Sequence, residues 1–593
     1  MAGPRTPTVR RRPVVRAVLR RGRDGLRSLE QAALRPLVHT ALHPLVHTAL
    51  HPLVHTALGR VQGSRVARRR ALVERFTPEE LQGWVELPDG QPVRVSLHVG
   101  ETEVMATWTS DRAPRDPTES VRAFSLATRQ LWPYCSRRDR VSVRIDGTPV
   151  PIVGHGLWLE PAADGERGLD ELRRELAAGK VFNRGGRLQV AKGLDTDWQR
   201  RVLALYARTR EVLAAERGLD VFLLYGTLLG AVREGGFLGH DNDFDAGYVS
   251  RHTEPQEAAR ELQQIGLLLV EHGLHVDCRR SLLHIHDAED RRVRIDLFHL
   301  LFDAGGTMRF AFGAAGTERM RRADWQGVCE TDLGGAPVLV PVVAEQFVEV
   351  LYGSEWRRPV PGFSWTRERR QVTPAARLPL AWRQEVHWAD FHARHDAPAA
   401  SSFAAHVLRR ADLPADVVDL GCGQGGDALA LAAAGSRVTG VDRAPEALRK
   451  AVVRAAERGL TDRVRWVAAD LGDADALGRV LDEARARAAG GPLLLYARSL
   501  LHAVSEEVQE VLLTVLRDRA RPGDLLAAEF RTLADEPRRK VHAHPHRRFL
   551  DGPAVVRRLA EVFGEVVEEQ AGTGWSPYGD EDPVLHRVLA RRT

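Results

Sequence analysis

Residues 417–427 read Val-Val-Asp-Leu-Gly-Cys-Gly-Gln-Gly-Gly-Asp, and this stretch decides the fold of the C-terminal part of the chain. An apolar run that ends in glycines and is followed by the helix-forming segment Ala428–Ala434 predicts a strand, a loop and a helix. The next apolar strand, residues 437–441, ends at Asp442, 21 residues after Gly421. A ribose-binding acid is expected at that spacing in a nucleotide-binding βα unit. The pattern therefore predicts an α/β, Rossmann-like domain.

Asp419, directly before the glycines, distinguishes between cofactors. A dinucleotide would place an anionic pyrophosphate on the following helix N-terminus, where a carboxylate would repel it. S-adenosylmethionine instead carries a cationic amino group and a sulfonium. Asp-Leu-Gly-Cys-Gly-x-Gly resembles the motif of class I methyltransferases, and Phe563–Glu569 with 583–589 resembles the terminal antiparallel hairpin of that fold. The resemblance covers roughly residues 382–593; a dehydrogenase and a cofactor-free βα unit are the alternatives.

The methyltransferase resemblance implies a set of S-adenosylmethionine-binding residues. They are Gly421, Gly423 and Gly425 for close backbone approach, Asp419 near the amino-acid end, Asp442 for the ribose hydroxyls and Asp470 for the adenine amino group. His502 is a candidate base for an oxygen-linked acceptor, with a packed histidine as the alternative. Arg498 and the cluster 542–548 are candidates for contacting an anionic acceptor, with a solvated basic loop as the alternative.

A second chemical pattern lies further toward the N-terminus. The apolar run Val221–Tyr225 is followed by the small residues Gly226 and Thr227, by Arg233, and then by Asp243-Phe244-Asp245. Alternation on a strand puts Asp243 and Asp245 on one face, about 7 Å apart. Asp296 stands alone in the apolar segment 293–298, where a charge is costly unless it is paired or bound to metal. Carboxylates held this close suit Mg²⁺ or Mn²⁺, so the pattern predicts a cation site.

This order of motifs resembles the nucleotidyltransferase superfamily. The amino-acid sequence of residues 225–237, together with the later segment 339–359, resembles the LicD family, which includes fukutin-related proteins. The segment 339–359 resembles the closing motif of that family. The resemblance covers roughly residues 180–370. It implies transfer of a phosphorylated alcohol from a CDP-linked donor to a glycan. One departure is Asn242, where the family often has an aspartate; Asp241 is the available substitute.

The LicD resemblance also implies residue roles. Asp243, Asp245 and Asp296 would hold the metal, Gly226 and Thr227 would let the backbone approach the donor phosphates, and Arg233 would pair with a phosphate oxygen. Two alternatives stay open. The domain could be a nucleotidyltransferase that makes an activated intermediate, or one of the two catalytic domains could only bind glycan.

The N-terminal part of the chain carries most of the positive charge. The 593 residues have a net charge of +6, but residues 1–75 contain 16 arginines and three acids, a net of +13. A solvated tail and attraction to an anionic membrane surface are the leading interpretations. Nucleic-acid binding is disfavoured because no base-stacking aromatic residue precedes Phe76. A repeat at 36–42, 44–50 and 52–58 spaces histidines every four residues, but prolines interrupt the helix that would align them as metal ligands.

The remaining features complete the prediction of a multidomain enzyme. Short alternating segments between turn signals predict a small β-sandwich. Four widely separated cysteines indicate a reducing, cytoplasmic location. The protein could also associate peripherally with the inner face of the membrane. The predicted parts are the arm 1–75, the β-sandwich 76–161, an α+β nucleotidyltransferase-like domain 162–375 and the methyltransferase domain 376–593. The predicted function is decoration of a cell-surface, lipid-linked glycopolymer by phospho-alcohol transfer and methylation.

Overall fold

The computed structural model describes residues 70–87, 91–109, 121–314, 319–360, 372–396, 400–538, 540, 547–577 and 579–593. The predictions for the basic arm before residue 70, for its histidine repeat and for residues 541–546 lie outside these ranges. The chain divides into two units after Arg70, and everything below concerns the unit Ala71–Thr593. Within the described ranges, no helix combines the length and the apolar character that crossing a bilayer requires.

Two antiparallel sheets share a core in the N-terminal part of this unit. Their strands are β1 (Ala71–Phe76), β2 (Glu80–Glu86), β3 (Arg94–Val99), β4 (Thr102–Trp108), β5 (Val121–Ala127), β6 (Val141–Ile145) and β7 (Thr148–Pro149). The orders are β1-β2-β5 and β4-β3-β6-β7. Strand β1 begins inside the range predicted for the arm. Its residue Val73 is fully buried and pairs with Gly83 of β2, so it belongs to the sheet. The arm therefore ends before Ala71, not at residue 75.

The middle of the chain builds a mixed sheet. Its elements are α1 (Leu169–Ala177), β8 (Lys180–Phe182), β9 (Leu188–Val190), α2 (Thr196–Arg217), β10 (Phe222–Leu223), α3 (Tyr225–Arg233), β11 (Phe244–Val249), α4 (Pro255–Glu271), β12 (His275–Cys278), β13 (Leu282–His286), β14 (Arg294–Phe302), β15 (Met308–Phe310), β16 (Val328–Leu333), β17 (Ala336–Pro341) and α5 (Ala344–Tyr352). The sheet order is β10-β11-β14-β13-β12, with β15 also on β14. Strands β11 and β14 run parallel.

The predicted strand Val221–Tyr225 needs correction. Strand β10 has two residues, and helix α3 begins at Tyr225, whose φ of 41° turns the chain into it. Gly226 and Thr227 therefore lie in the first turn of a helix. The apolar run alone did not distinguish a strand from a buried helix start.

The C-terminal part is an α/β domain. It contains α6 (Leu380–Arg394), α7 (Ser402–Val407), β18 (Asp416–Leu420), α8 (Gly426–Ala433), β19 (Arg437–Asp442), α9 (Pro445–Glu457), β20 (Val464–Ala468), α10 (Ala474–Arg487), β21 (Leu493–Arg498), α11 (Glu506–Arg519), β22 (Leu525–Arg531), α12 (Gly552–Phe563), β23 (Gly564–Gly572) and β24 (Leu585–Arg592). The order β20-β19-β18-β21-β22-β24-β23 is parallel from β20 to β22, while β24 is antiparallel to both neighbours. The predicted terminal hairpin is thus present. The strand order reverses beside β18, the position where open α/β sheets bind ligands.

Helix α6 joins the two chemical regions. It packs on α4 and β12 on one side and on α9 on the other. Asp390 of α6 accepts a hydrogen bond from the backbone of Val276 at 3.0 Å. Because α6 belongs by its contacts to both regions, the domain boundary at 375 stays a prediction.

Candidate functional site

The three predicted metal-binding aspartates meet at the start of β11. Asp245 and Asp296 are register partners on the parallel strands β11 and β14, and Asp243 directly precedes β11. Their carboxylate oxygens lie within 4.8 Å of one another. Parallel pairing therefore brings together residues that are about fifty positions apart in sequence, and their oxygens suit a hard divalent cation.

The first turn of helix α3 holds Asp245 in place. The backbone N–H of Gly226 donates to Asp245 Oδ2 at 3.0 Å, and the backbone N–H of Asp245 donates to Thr227 Oγ1 at 2.8 Å. Asp241 packs against the same turn, since its Oδ2 occupies the space that a Cβ at position 226 would take. Gly226 and Thr227 thus position the acids, and their predicted contact with donor phosphates stays a prediction.

The cluster carries an excess of negative charge. Burial raises the pKa of Asp245 well above its ordinary value, and the charges of Asp243, Asp241 and Asp296 add to this effect. Burial also raises the pKa of Asp296 to about 6, although the guanidinium of Arg294 opposes the shift. The pKa of Asp241 is raised by burial and then by Asp243. A bound cation would relieve this repulsion, so the electrostatics as well as the geometry fit a metal.

Arg294 is a site residue that the sequence analysis missed. Its Nε donates to Asp296 Oδ1 at 2.8 Å, and its guanidinium lies 3.6 Å from Asp243 Oδ2. The signal was the spacing Arg294-Ile295-Asp296, because alternate residues of a strand share a face. Arg294 therefore places a fixed positive charge beside the carboxylates.

Arg233 is engaged elsewhere. Its Nε donates to Glu234 Oε1 at 2.8 Å, and an Nη donates to the carbonyl of Trp356 at 3.1 Å. Its predicted pairing with phosphate stays a prediction that would require it to leave these partners. Tyr352, from the closing segment of the family resemblance, lies near the cluster. Burial raises its pKa well above the ordinary value, and the charges of Asp245 and Asp241 add to that.

A cavity of about 240 Å³ lies next to the acidic loop. Its lining includes apolar residues of the N-terminal sheets, the segment 181–184, and Gly239 with His240, which directly precede Asp241. Asn183 Nδ2 donates to Asn242 Oδ1 at 3.1 Å and so links the β8–β9 hairpin to the acidic loop. The cavity is therefore mostly apolar, with polar groups at the end near the carboxylates.

We expect Gly226→Ala to disturb the acidic cluster. An added Cβ would collide with Asp241 Oδ2. Insertion of an extra carbon into a well-packed site lowers the free energy of unfolding by about 1–3 kcal/mol. Urea unfolding measures this cost. Gly236→Ala is the matched control, because nothing lies within 4 Å of a Cβ there. Equal stability of the two variants would contradict the role of Gly226.

The glycine-rich loop of the C-terminal domain is tied to the end of the next strand. Gly421, Gly423 and Gly425 all adopt positive φ, which glycine accepts without strain. The backbone N–H of Gly423 donates to Asp442 Oδ2 at 2.8 Å, and that of Ala444 donates to Asp442 Oδ1 at 2.9 Å. Asp442 therefore shapes the loop as well as facing the edge where a ligand would bind.

Two further predicted cofactor residues lie at the same sheet. Asp419 is buried in β18, and burial raises its pKa well above the ordinary value, with the charges of Asp427 and Asp442 adding to the shift. Asp470 is exposed beyond the end of β20, and its Oδ1 accepts from the backbone of Gly472 at 2.8 Å. Asp442 thus ends β19, and Asp470 follows the neighbouring parallel strand β20, while their predicted contacts with adenosine stay a prediction.

The catalytic role predicted for His502 does not fit its surroundings. The residue is 6% exposed, and its Nδ1 accepts a hydrogen bond from the backbone of Arg531 at 3.2 Å. Burial lowers its pKa to about 3, and the charges of Arg531, Arg547 and Arg498 contribute. A general base works best with a pKa near the operating pH. The packed-histidine alternative is therefore the better description of His502.

The arginines proposed to contact an acceptor also have protein partners. Arg498 lies 3.7 Å from Asp427 and 3.3 Å from Glu529. From the predicted cluster 542–548, Arg548 donates to Gln509 Oε1 at 2.8 Å and Arg547 lies 3.6 Å from Glu581.

His392 of helix α6 is a second residue that the sequence analysis missed. A Cβ added at Gly423 would lie 3.2 Å from its Cε1, so the ring covers the glycine-rich loop. Burial lowers the pKa of His392, while the nearby carboxylate of Asp442 opposes the shift. The available signal was the aromatic run Trp388, Phe391, His392 and His395, which helical spacing places around one end of α6.

Comparison with known proteins assigns a family to each chemical region. Residues 218–342 match the LicD/FKTN/FKRP nucleotidyltransferase domain, and residues 417–523 match a methyltransferase domain. The chain therefore contains two transferase-type domains. No curated protein is significantly similar to it.

Solved structures similar to this chain include several methyltransferases. A SAM-dependent methyltransferase from Anabaena variabilis is 14% identical, covers 36% of this chain and 96% of its own, and has a TM-score of 0.30. A magnesium protoporphyrin IX methyltransferase from Synechocystis with bound SAH is 16% identical, covering 36% and 88%, with a TM-score of 0.24. The glycopeptide N-methyltransferase MtfA with bound SAM is 18% identical, covering 33% and 96%, with a TM-score of 0.25.

Proposed function

We propose, from these two domain matches, that the chain is a bifunctional transferase of cell-surface glycopolymer decoration. The LicD-type domain transfers a phospho-alcohol from a CDP-linked donor to a glycan. The methyltransferase domain uses S-adenosylmethionine to methylate the product or a related glycan. The observation that carries the proposal is the convergence of Asp243, Asp245 and Asp296 inside the matched segment.

In the phosphotransfer site, Asp243, Asp245 and Asp296 would hold Mg²⁺ or Mn²⁺. When bound, such an ion neutralises negative charge on the donor's diphosphate. Arg294 keeps a positive charge beside the same carboxylates and would stabilise charge on the transferred group. Asp241, which directly follows the cavity-lining residue His240, is the candidate to take the proton of the acceptor hydroxyl. The cavity beside Asp241 would receive the acceptor.

In the methyltransferase site, the chain binds and shields the cofactor. The glycine-rich loop would admit S-adenosylmethionine at backbone distance, Asp442 would bind the ribose hydroxyls, and Asp470 would bind the adenine amino group. His392 would close the loop from above and exclude water. S-adenosylmethionine supplies an activated methyl group to an acceptor nucleophile.

One experiment tests both activities. The purified chain is incubated with a panel of CDP-alcohols, S-adenosylmethionine, Mg²⁺ and cell-envelope glycolipid, and the products are identified by mass spectrometry. The proposal expects CMP together with a phospho-alcohol and a methyl group on glycan. Release of pyrophosphate would instead indicate a nucleotidyltransferase, and glycan binding without any consumed donor would indicate a binding role.

The stabilising effect of Mg²⁺ should depend on pH. The pKa of Asp296 is about 6 in the fold and 3.8 ordinarily, so the metal-free native state keeps a proton that the unfolded chain loses. Metal-free stability therefore falls as pH rises from about 4 through 6. Mg²⁺ must displace that proton at about pH 5 but not at about pH 8. Thermal unfolding should show a larger Mg²⁺-induced rise in Tm at the higher pH, and Asp243→Asn should reduce it.

The basic arm is proposed to hold the enzyme at an anionic membrane surface, near a lipid-linked acceptor. The charge of +13 before residue 76 supports this, since each basic residue near such a surface contributes about 1 kcal/mol. Deletion of residues 1–69 should weaken co-sedimentation with anionic vesicles and leave turnover of soluble substrates unchanged. The deletion stops there because β1 begins at Ala71. Unchanged vesicle binding would contradict the membrane role.

A further inference from the structure

A second group of metal-ligating side chains lies on the hairpin formed by β12 and β13. His284 and His286 alternate on one face of β13, and Asp277 of β12 is the register partner of His284. One ligand atom from each of the three residues lies within 4.8 Å of the others. Two imidazoles and a carboxylate at this separation match the donor set of transition-metal sites.

His286 has one ring nitrogen in use and one without a partner. Its Nδ1 lies 3.0 Å from the carbonyl oxygen of Arg291, so Nδ1 carries the proton and donates. Its Nε2 is buried, and among the described residues it has no hydrogen-bond partner; the residue is 8% exposed. A hydrogen bond from one nitrogen to a backbone carbonyl is the usual way in which a metal-binding histidine is oriented. The free Nε2 lone pair therefore has the chemistry of a metal ligand.

His275 repeats this arrangement next to the cluster. Its Nδ1 lies 3.0 Å from Asp390 Oδ1, while its buried Nε2 also finds no hydrogen-bond partner in the described part of the chain. Its ring centroid lies 4.8 Å from that of His286. A carboxylate behind an imidazole is a common outer layer of metal sites. Two buried imidazole nitrogens in one place, neither with a hydrogen-bond partner among the described residues, have the chemistry of metal ligands.

We propose that Asp277, His284 and His286 bind a divalent transition-metal ion of the zinc type, with His275 beside them. Imidazole nitrogen favours such ions over Mg²⁺, which prefers oxygen ligands. Arg279 contacts Asp277 Oδ2 at 2.6 Å, so the metal shares this carboxylate with the guanidinium. The site is independent of the proposed phosphotransfer activity.

The proposed site is adjacent to the three aspartates but separate from them. His284 Nε2 lies 3.9 Å from Asp296 Oδ1, which is longer than a hydrogen bond. A metal on the hairpin would therefore fix the imidazole beside the carboxylate cluster. It would also anchor β12, which Asp390 ties to helix α6.

The test is zinc binding to the full chain after chelator treatment, in excess Mg²⁺ so that the aspartate cluster is occupied. Isothermal titration and elemental analysis should find one zinc per chain. His286→Ala and Asp277→Asn should each weaken zinc binding by more than about 100-fold, beyond the 10–100-fold that loss of an outer partner costs. Asp243→Asn, and His252→Ala at an exposed histidine outside the cluster, should retain it.

Cobalt provides an independent readout, because its visible absorption distinguishes imidazole ligands from oxygen ligands alone. Circular dichroism shows that each variant is folded, and the partly exposed Asp277 offers a second variant if His286→Ala does not fold. The proposal is overturned if zinc binds the folded Asp277→Asn chain as tightly as the parent chain. It is equally overturned if Asp243→Asn abolishes zinc binding, since the ion would then occupy the aspartate cluster.

Discussion

Asp245→Asn should lower phospho-alcohol transfer by about 10³-fold while raising the Tm of the metal-free protein. Removal of one preorganised charged group from an active site costs about 10²–10³-fold in rate, and Asp245 lies at the centre of the cluster. The same change replaces a carboxyl whose charged form is disfavoured first by burial and then by the neighbouring carboxylates, both of which raise the pKa of Asp245. Release of CMP measures the rate, and thermal unfolding without Mg²⁺ measures the stability.

Because the transfer rate should fall while the Tm rises, the two measurements distinguish loss of catalysis from loss of folding. A variant that is inactive because it unfolds would have a lower Tm. Asp197→Asn is the matched control, because that carboxylate is 70% exposed and pairs with Arg200 on the surface of α2. The control should change neither quantity. Full activity in Asp245→Asn would remove the main support for the phosphotransfer proposal.

Asp442→Ala should weaken S-adenosylmethionine binding by about 100-fold. The carboxylate would lose its bonds to the ribose hydroxyls, and hydrogen bonds to charged groups contribute about 1.5–3 kcal/mol each. It would also release the backbone of Gly423, which it holds at 2.8 Å. Isothermal titration with S-adenosylmethionine measures the affinity.

Two variants make the Asp442 result interpretable. Asp462→Ala changes an exposed carboxylate of the same domain and should bind normally. His392→Ala should weaken binding less than Asp442→Ala, because the ring covers the loop without a charge to offer. Unchanged affinity in Asp442→Ala would place the ribose elsewhere and contradict the predicted site.

Much of the architecture followed from local patterns. The strand, glycine loop and acid at 417–442 predicted the α/β domain, because each element is a contiguous stretch with its own periodicity. The terminal hairpin and two of the parallel strands, β18 and β19, appear where the apolar runs indicated. The strand predicted at Val221–Tyr225 was wrong in its second half, since an apolar run has the same composition in a strand and in a buried helix start.

Some of the site residues could be predicted from the local sequence, and others could not. Asp243 and Asp245 could be predicted from their alternation, and Asp296 because a charge inside an apolar strand needs a partner. Arg294 and His392 could not, because arginines and histidines are common on ordinary surfaces. Only pairing of β11 with β14 and packing of α6 on the glycine loop revealed their positions beside the two candidate sites. His502 shows the converse, since its burial could not be predicted from the motif around it.

By itself, the sequence determined the chemistry available to this protein. It set the acids, the glycine loop and the order of the elements, because these depend on residue type and short-range spacing. The tertiary structure decided which groups meet. Parallel pairing placed Asp245 opposite Asp296, and the β12–β13 hairpin brought Asp277 to His284. Those distances depend on strand register and burial over long sequence separations, which no local pattern encodes.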